Sequence, residues 1–380
     1  MARLDDICAI NMGQSPDSAS YNENGEGMPF FQGNADFGKI HPKVRVWCSA
    51  PTKIAHAGDV MISVRAPIGA LNIADRECCI GRGLAALTVN EDLCVKDYLW
   101  YAIASKVDEL NSKGTGSTFK AISKGVLVET EIPLPDLNEQ KKVAEQLTKV
   151  DGLIAIRKEQ LAKLDQLVKS RFIEMFGDPI RNSFGLNTKP MTDICEVIDG
   201  DRGKNYPTTD DFSDDGYCLF LNAKNVTSDG FNFENCMYIT EEKDATLRKG
   251  RLRRGDVVLT TRGTIGNLAF YTNEVPFEHV RINSGMVILR MKQEVADEVY
   301  FIEHFKMQLA DIKSKIARGS AQPQLPISTM NKIQILIPEI EQQREFAAFV
   351  KQTENSKLAI QQSLNKLETL KKSLMQEYFG

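Results

Sequence analysis

The chain has 380 residues, of which 42% are hydrophobic and 26% charged, and its 47 basic and 51 acidic residues leave a net charge of −4. That length predicts two or three domains, each able to bury a core, and the composition excludes a disordered or collagen-like chain. No stretch approaches the roughly 18 apolar residues of a membrane span and the start lacks a secretory signal, so we expect a cytoplasmic protein with no membrane partner. The charge balance argues against a nucleic-acid binder unless the basic residues are concentrated locally.

The eight cysteines and four histidines form no local metal-ligand pattern. No two cysteines make a C-x-x-C pair, and no histidines lie at ligand spacing. A zinc site needs ligands brought together by local spacing or by folding. We therefore predict no metal site, and reduced, mostly buried thiols instead of disulfides.

Seven blocks of the first half recur in the same order in the second half. Leu4–Cys8 matches Met191–Cys195 at an offset of 187, and Gly58–Gly69 matches Gly255–Gly266 at an offset of 197. The remaining matches, at offsets of 202 to 205, are Tyr98 with Tyr300, Ile122-Ser123 with Ile327-Ser328, Ile132-Pro133 with Ile337-Pro338, Leu164, Leu167 and Ser170 with Leu367, Leu370 and Ser373, and Phe176-Gly177 with Phe379-Gly380. This series predicts a tandem duplication whose second copy carries small insertions.

Each copy divides into a globular part and a long helix. Val60–Val64 and Val257–Thr261 follow Gly-Asp turns and are typical of short buried strands. The stretches 97–113 and 296–318 have helical spacing. The predicted bounds are 1–138 and 178–340 for the domains and 139–177 and 341–380 for the long helices.

The long helices each carry an apolar seam at alternating steps of three and four residues, which is typical of a coiled coil. Arg157 and Lys357 interrupt the seams, and polar seam residues usually specify the register. We predict that the helices pair antiparallel with each other; the alternative is that each packs on its own domain. The predicted interface residues are Leu147, Val150, Ile154, Leu161, Leu164 and Val168 in the first helix, and Val350, Ile360, Leu364, Leu367 and Leu374 in the second.

Signatures of enzymes are absent from the sequence. It contains no G-K-[ST] phosphate loop, nucleotide-binding G-x-G-x-x-G, nucleophile G-x-S-x-G or metal-binding H-E-x-x-H. Asp136, Glu139 and Lys141 superficially resemble nuclease metal ligands, but within one helical turn a capping box explains them. We therefore predict no catalytic residues and a protein that is not an enzyme.

Basic residues are concentrated at matching positions in the two copies. The stretches 111–124 and 312–332 contain basic residues and no acidic one, and 243–262, which corresponds to 37–66, has seven basic residues against two acidic ones. Basic loops rich in Ser, Thr, Gln and Asn suit phosphate contact and base reading. A solvated surface is the alternative for any single loop, but the recurrence in both copies favours DNA binding.

The sequence resembles the specificity subunits of type I restriction–modification systems. The resemblance rests on the order of domains and helices, on the block G-D-V-(M/V)-(I/L)-(S/T)-x-R-x-x-I-G, and on the helix-start motif Ile132–Gln140, which is looser at Ile337–Gln342. It implies an α+β fold in which two mixed α/β target-recognition domains are joined by two long helices that form an antiparallel coiled coil with pseudo-twofold symmetry. One departure is that no segment precedes the first domain, so we expect the last helix to close the chain.

The resemblance also implies a division of labour. Each domain would read one half of a bipartite, asymmetric sequence in double-stranded DNA, while the coiled coil sets the spacer and docks two DNA methyltransferase subunits. Restriction subunits, which translocate and cleave DNA, would join that core. We expect no cofactor in this chain; S-adenosylmethionine, ATP and Mg would be bound by the partner subunits.

The DNA-contacting residues are inferred from the loops themselves, because recognition loops vary within such a family. Lysine and arginine would neutralise phosphates, while amides and hydroxyls would read base edges in the major groove. For Arg65 and Arg262 an internal ion pair is the alternative. The candidates are Gln32, Asn34, Arg65, Lys113, Ser117, Thr118 and Lys120 in the first domain, and Asn222, Lys224, Asn225, Arg253, Arg262, Arg318, Gln322 and Gln324 in the second.

Two other functions are compatible with parts of this pattern. A coiled-coil adaptor would join proteins without binding DNA. A self-contained DNA methyltransferase or nuclease would need a cofactor loop or metal carboxylates, for which the sequence offers no motif.

Overall fold

The computed structural model describes residues 1–116, 120–316 and 324–380, with only the backbone of Lys315 and Ile316. The chain forms two compact units. The first comprises Met1–Glu159 and Gln361–Gly380, and the second comprises Gln160–Ile360. Each unit therefore contains one globular domain together with parts of both long helices.

The first domain and the helix that follows it contain short strands and five helices. The strands are β1 (Ala2–Arg3), β2 (Cys8–Met12), β3 (Tyr21–Asn22), β4 (Met28–Phe31), β5 (Val46–Cys48), β6 (Ile54–Ala55), β7 (Val60–Ser63), β8 (Leu71–Ile73), β9 (Cys78–Ile80), β10 (Leu84–Val89) and β11 (Glu131–Ile132). The helices are α1 (Leu4–Ile7), α2 (Lys96–Ser105), α3 (Val107–Ser112), α4 (Lys124–Val128) and α5 (Leu137–Phe176).

The second half of the chain repeats this series with additional short elements. Its strands are β12 (Thr188–Pro190), β13 (Cys195–Asp199), β14 (Cys218–Leu221), β15 (Val226–Thr227), β16 (Gly230–Phe231), β17 (Tyr238–Ile239), β18 (Val257–Thr260), β19 (Leu268–Phe270), β20 (Val280–Ile282), β21 (Met286–Met291) and β22 (Gln334–Leu336). Its helices are α6 (Met191–Ile194), α7 (Glu241–Thr246), α8 (Glu298–Ile316), α9 (Ile327–Met330) and α10 (Ile340–Phe379).

The two domains share three parts of their strand topology and differ in the remaining short strands. An antiparallel sheet with the order β2-β10-β7-β8 in the first corresponds to β13-β21-β18-β19 in the second. The small sheet β1-β11 corresponds to β12-β22, and the parallel pair β4 and β9 corresponds to β14 and β20. The structure thus repeats the unit that the sequence blocks predict.

The two predicted buried strands are confirmed, because all four residues of β7 and of β18 are buried. Each strand begins after a glycine with a φ of 94°, Gly58 and Gly255, a conformation that other residues rarely adopt. The next residue in each turn is a buried aspartate whose carboxylate accepts a backbone N–H from three residues earlier: Asp59 from His56 at 2.8 Å and Asp256 from Arg253 at 2.7 Å.

The predicted helix over 97–113 is wrong as a single helix. The structure has α2 and α3 instead, separated at Lys106, whose ψ of 4° is not helical. The N–H of Lys106 bonds to Ile103 O at 2.9 Å, three residues back, which is a common way for a last helical turn to tighten. The corresponding helix in the second domain, α8, is continuous through its described residues.

Each long helix is attached to its own domain through a fully buried glutamine near its start. Gln140 donates to Leu93 O and Pro135 O at 3.0 and 2.8 Å and accepts Val95 N–H at 2.8 Å. Gln343 makes the same set of bonds, which hold the start of α10 on the second domain: it donates to Val295 O and Pro338 O at 3.2 and 2.8 Å and accepts Asp297 N–H at 3.0 Å.

The predicted cap at the start of the first long helix is confirmed. Asp136 Oδ1 accepts the N–H groups of Asn138 and Glu139 at 2.9 and 3.0 Å. The carboxylate of Glu139 pairs with Lys142 Nζ at 3.4 Å and not with the N–H of Asp136, so the second half of a capping box is not formed.

In the first unit, the long helices run antiparallel, because partners with higher numbers in α5 meet partners with lower numbers in α10. Cross-helix contacts of 2.7 to 3.2 Å join Gln146 to Tyr378, Asp151 to Lys371, Lys158 to Glu368 and Arg157 to Ser363. The predicted seam residues of this unit are buried or half-buried: Leu147, Val150, Ile154, Leu364, Leu367 and Leu374.

In the second unit, the same antiparallel pairing continues. Asp165 pairs with Lys357 at 2.5 Å, Arg171 pairs with Glu345 at 3.2 Å, and the rings of Phe172 and Phe346 lie 5.4 Å apart. The predicted seam residues of this unit are also buried or half-buried: Leu161, Leu164, Val168, Val350 and Ile360. The antiparallel coiled coil is therefore confirmed.

The last turn of each long helix packs on the domain of the other copy, and not on its own domain as the alternative had it. The ring of Phe379 lies 5.2 Å from that of Tyr98 in the first unit. Its counterpart Phe176 lies 5.0 Å from Tyr300 in the second. Each helix consequently pairs with the other helix along its seam and closes onto a domain at its last turn.

Candidate nucleic-acid interface

In the first domain, four segments that are distant in sequence meet beside the end of β7. They are 31–34, 64–66, 81–83 and 120–122, and we call them the first loop cluster. Backbone hydrogen bonds of 2.8 to 3.2 Å join them: Gly81 N to Phe31 O, Gly83 N to Gln32 O, Val64 N to Gly83 O, Ile122 N to Val64 O and Ala66 N to Lys120 O. Because the backbone groups pair with one another, the side chains between them are presented from a defined frame.

The second domain builds the same arrangement beside the end of β18. Its segments are 221–225, 261–262, 283–285 and 324–325, and we call them the second loop cluster. The joining bonds are Asn283 N to Leu221 O at 3.2 Å, Thr261 N to Gly285 O at 2.8 Å and Leu325 N to Thr261 O at 2.9 Å. Each of these bonds has a counterpart in the first loop cluster.

The two loop clusters gather about half of the residues that the sequence analysis selected. Arg65 and Arg262 lie at equivalent ends of β7 and β18, and both are exposed. Neither forms a salt bridge within the described ranges, so their alternative role as internal ion pairs has no support there. The selected residues that the clusters carry at exposed or half-buried positions are Gln32, Asn34, Arg65 and Lys120 in the first, and Asn222, Lys224, Arg262 and Gln324 in the second.

Asn225 is a correction, because it does not face solvent. It is 1% exposed, its Oδ1 accepts Asn222 N–H at 2.9 Å, and its Nδ2 donates to Asn232 O and Asn235 O at 3.0 Å. The side-chain amide of Asn225 thus bonds to backbone groups of residues 222, 232 and 235 and stabilises this loop. The buried Asp36, which accepts Gln32 N–H at 2.7 Å, has the same task in the first domain.

Lys113 and Arg253 lie outside the loop clusters. Lys113 follows α3 and pairs with Glu109 at 2.6 Å, and the hydrogen bond from Lys113 lowers the pKa of Glu109. Arg253 precedes β18, so the length of that strand separates it from Arg262 at the other end. Ser117, Thr118, Arg318 and Gln322 lie outside the described residues.

The basic stretch 243–262 contributes less free charge than its composition indicates. Lys243 pairs with Asp211 at 2.9 Å, and Arg251 pairs with the buried Asp244. Arg254 donates to carbonyl oxygens of the 272–277 segment and lies 4.1 Å over the ring of Tyr271. These cations stabilise the domain internally, and Arg262 is the one at the end of β18 that faces solvent.

Arg82 is an exposed residue of the first loop cluster that the sequence analysis missed. It sits in a turn between Gly81 and Gly83. A signal was available, because Gly81-Arg82-Gly83 corresponds to Asn283-Ser284-Gly285 at an offset of 202, which is also the offset between Tyr98 and Tyr300.

The described parts of the chain contain neither a cluster of metal ligands nor a helix suited to a membrane. There, no group of three or more His, Cys, Asp or Glu side chains could hold a metal ion. Among the helices described, none combines the length and the apolar character needed to cross a membrane.

Comparisons with known proteins agree with the resemblance. The sequence model of the type I restriction modification DNA specificity domain matches residues 1–166 and 185–371. The MjaX type I restriction enzyme specificity subunit of Methanocaldococcus jannaschii is 42% identical over 160 residues, which are 42% of this chain and 38% of that protein. The EcoBI specificity subunit of Escherichia coli is 19% identical over 416 residues, covering 99% of this chain and 84% of its own length.

Solved structures confirm the predicted fold class. The S subunit of a type I restriction–modification system from M. genitalium superposes with a TM-score of 0.63 at 15% identity, over 100% of this chain and 95% of that chain. A chain from a study of complex assembly in the type I system superposes with a TM-score of 0.59 at 16% identity, over 99% and 96%. With its two domains and its paired helices, the chain belongs to the family of type I restriction modification DNA specificity domains.

Proposed function

We propose that this chain is the DNA-recognition subunit of a type I restriction–modification complex and that each domain reads one half of a bipartite, asymmetric target. The observation that carries this proposal is the repeated loop cluster. The same backbone frame presents exposed cations and amides in both domains, but the side chains differ between the two. Two similar frames with different side chains suit two different half-sites.

Within each loop cluster, the cations and the amides have separate tasks. Arg65, Lys120, Lys224 and Arg262 neutralise phosphates and orient the domain on the duplex. Gln32, Asn34, Asn222 and Gln324 offer amide donors and acceptors to base edges in the major groove. Arg65 and Arg262 can also bind guanine or a phosphate with two parallel N–H groups.

The paired helices set the spacer between the half-sites and dock two DNA methyltransferase subunits. Each helix has 40 residues and is therefore about 60 Å long. The first unit leaves Leu153 and Ile156 of α5 44% and 49% exposed, although the seam of the same helix is covered. Apolar side chains on the outside of a coiled coil supply contact area for a further subunit.

The chemistry belongs to the partners. S-adenosylmethionine is bound by the methyltransferase subunits, and ATP and Mg by restriction subunits that join the assembly. The chain itself selects the sequence and is not catalytic. We place it in the cytoplasm with those partners and the DNA.

The test is selection from random duplexes by the full chain assembled with its methyltransferase subunits. Two short preferred sequences separated by a spacer of constant length are expected, with affinity that falls steeply with salt. Equal affinity for all duplexes would overturn the proposal, and absence of duplex binding in any assembly would indicate an adaptor. Methyl transfer by the isolated chain would indicate a self-contained enzyme.

The double variant Arg262→Ala, Gln324→Ala tests the assignment of half-sites. It should reduce discrimination at the second half-site roughly tenfold or more and leave the first unchanged. The matched control is Arg181→Ala, which removes an exposed cation of the same unit outside the loop cluster. If both half-site preferences change together, the two domains do not read separate halves.

A further inference from the structure

Three glycines allow three segments of the first domain to pack backbone against backbone. A Cβ on Gly13 would lie 2.2 Å from Gly81 O, and a Cβ on Gly83 would lie 2.5 Å from Gln32 O. A Cβ on Gly81 would lie 2.8 Å from Gln32 Oε1. The segments 13–15, 32–33 and 81–83 therefore form a tight junction, and it cannot accommodate larger residues at these positions without displacing backbone or the Gln32 amide.

The hydroxyl of Ser15 connects the other two segments of this junction. Its Oγ lies 2.9 Å from Nε2 and 3.2 Å from Oε1 of Gln32, and it accepts the N–H of Arg82 at 3.3 Å. Gln32 is exposed, so this contact holds an amide that faces solvent. The hydroxyl thus restrains the amide group, and Nε2 keeps a second N–H and Oε1 a second lone pair with which the amide can bond to a base edge.

Arg82 leaves the junction towards solvent. Its side chain is exposed, and within the described ranges no acidic residue pairs with it. Gly83 O, next to Arg82 in the chain, accepts the N–H of Val64, which precedes Arg65, at 2.9 Å. The two arginines therefore lie on adjacent, hydrogen-bonded segments. Two unpaired arginines on adjacent segments create a local positive field beside the exposed amide of Gln32.

We infer that this junction is a second recognition element of the first domain, in which Arg82 binds a DNA phosphate and Ser15 positions Gln32 to read a base. The inference rests on the proposed function and extends it to two residues outside the selected set. Arg82 supplies affinity without sequence preference. Ser15 is a positioning residue that acts through Gln32.

The equivalent junction of the second domain also contains an arginine, but this arginine lies on the segment that corresponds to 13–15 and not on the one that corresponds to 81–83. Gly200 corresponds to Gly13, and its Cβ would also lie 2.2 Å from a backbone oxygen, that of Asn283. Arg202 then stands where the first domain has Ser15, and Ser284 stands where it has Arg82. Arg202 donates to Asp199 and to Ser284 O at 3.1 and 3.3 Å, so its charge is partly neutralised. The phosphate contact is therefore stronger in the first domain.

The experiment compares salt dependence of duplex binding by the full chain in its methyltransferase assembly. Arg82→Ala should lower the slope of log affinity against log salt by about 1 and weaken target and random duplexes alike. The matched control is Arg76→Ala, which removes an exposed arginine of the same domain at the other end of β9, where it pairs with Asp75 at 2.8 Å. The slope of the control should equal that of the wild type.

Base preference separates the role of Ser15 from that of Arg82. Ser15→Ala should reduce discrimination at one position of the first half-site roughly tenfold, without changing the salt slope, and Ser15→Thr should restore it. The preference for the second half-site reports that each variant is folded.

Three results would count against the inference, and a fourth would concern the proposed function alone. Identical slopes for Arg82→Ala and Arg76→Ala would exclude the phosphate contact. An unchanged preference in Ser15→Ala would exclude positioning, and loss of both half-site preferences would mean that the junction is only structural. Wild-type chain that binds all duplexes equally would instead contradict the proposed function.

Discussion

Gln140 of α5 and Gln343 of α10 make equivalent sets of three hydrogen bonds. Ser15 and Arg202, which also occupy equivalent places in the two copies, make different ones. The first pair is fully buried and holds a helix on its domain. The second pair lies outside the buried core, where each residue contacts a loop cluster. The two copies are therefore alike where the domain is held together and different where it would meet DNA.

This difference shows which parts of the duplicated unit are restricted by folding. A buried amide that loses its partners leaves unsatisfied polar groups, and each costs about 1 to 3 kcal/mol. An exposed side chain on a rigid loop carries no such penalty, so it can change while the frame persists. Three predictions test this comparison.

The largest effect is expected from replacing the buried glutamines. Gln140→Leu and Gln343→Leu each leave two carbonyls and one N–H without a partner, and each should lower the free energy of unfolding by about 3 kcal/mol. Urea unfolding measures the loss, and hydrogen exchange assigns it to one domain. Gln362→Leu, at an exposed site of α10, is the matched control and should change stability by less than about 0.5 kcal/mol. Clearly unequal losses in the two copies would show that the frames are not equivalent.

A second effect should be confined to the second unit, where His304 occupies the place of Ala102. His304 is fully buried, its Nε2 accepts Leu336 N–H at 3.1 Å, and desolvation lowers its pKa to about 3. The unfolded chain binds a proton at this residue below pH 6.5 and the folded chain does not, so stability is complete above that pH and falls as the pH drops towards 3.

The expected loss between pH 7 and pH 5 is about 2 kcal/mol, since each pH unit below 6.5 contributes up to about 1.4 kcal/mol. Urea unfolding at both pH values measures it. His304→Gln keeps an acceptor for Leu336 N–H and removes the titrating ring, so its stability should depend less on pH by that amount. An identical pH dependence in the variant and the wild type would show that the pKa of His304 is the same in the folded and the unfolded chain.

The smallest effect is expected at the cross-helix ion pairs. Asp151→Asn removes the partner of Lys371, and Asp165→Asn removes one of two partners of Lys357, which also contacts Glu354 at 2.7 Å. These carboxylates are 35% and 59% exposed, so each substitution should cost about 0.5 kcal/mol or less, with the smaller loss for Asp165→Asn. Thermal unfolding at low salt and at 1 M salt measures both losses. The difference in stability between each variant and the wild type should vanish at high salt. A loss that persists in high salt would point to packing instead of charge.

Much of the fold was predictable because its signals are periodic or repeated. The seams at Leu147–Val168 and Val350–Leu374 and the buried strands after Gly58 and Gly255 could be identified from neighbouring residues alone. The break at Lys106 could not, since the helical spacing continues through it and the break depends on how α2 and α3 pack. The candidate site was predicted in part: Arg65 and Arg262 face solvent at the expected strand ends, while Asn225 is buried and Arg82 was missed.

The sequence by itself determined the duplication, the order of domains and helices, and the apolar seams of the long helices, because side-chain periodicity and internal repeats are properties of the chain. Only the tertiary structure decided which polar residues face solvent together. Three of the seven cations of the 243–262 stretch, Lys243, Arg251 and Arg254, bind Asp211, Asp244 and backbone carbonyls of their own domain. The loop clusters are formed by hydrogen bonds between distant residues, such as Leu325 and Thr261, and the local sequence does not specify such contacts.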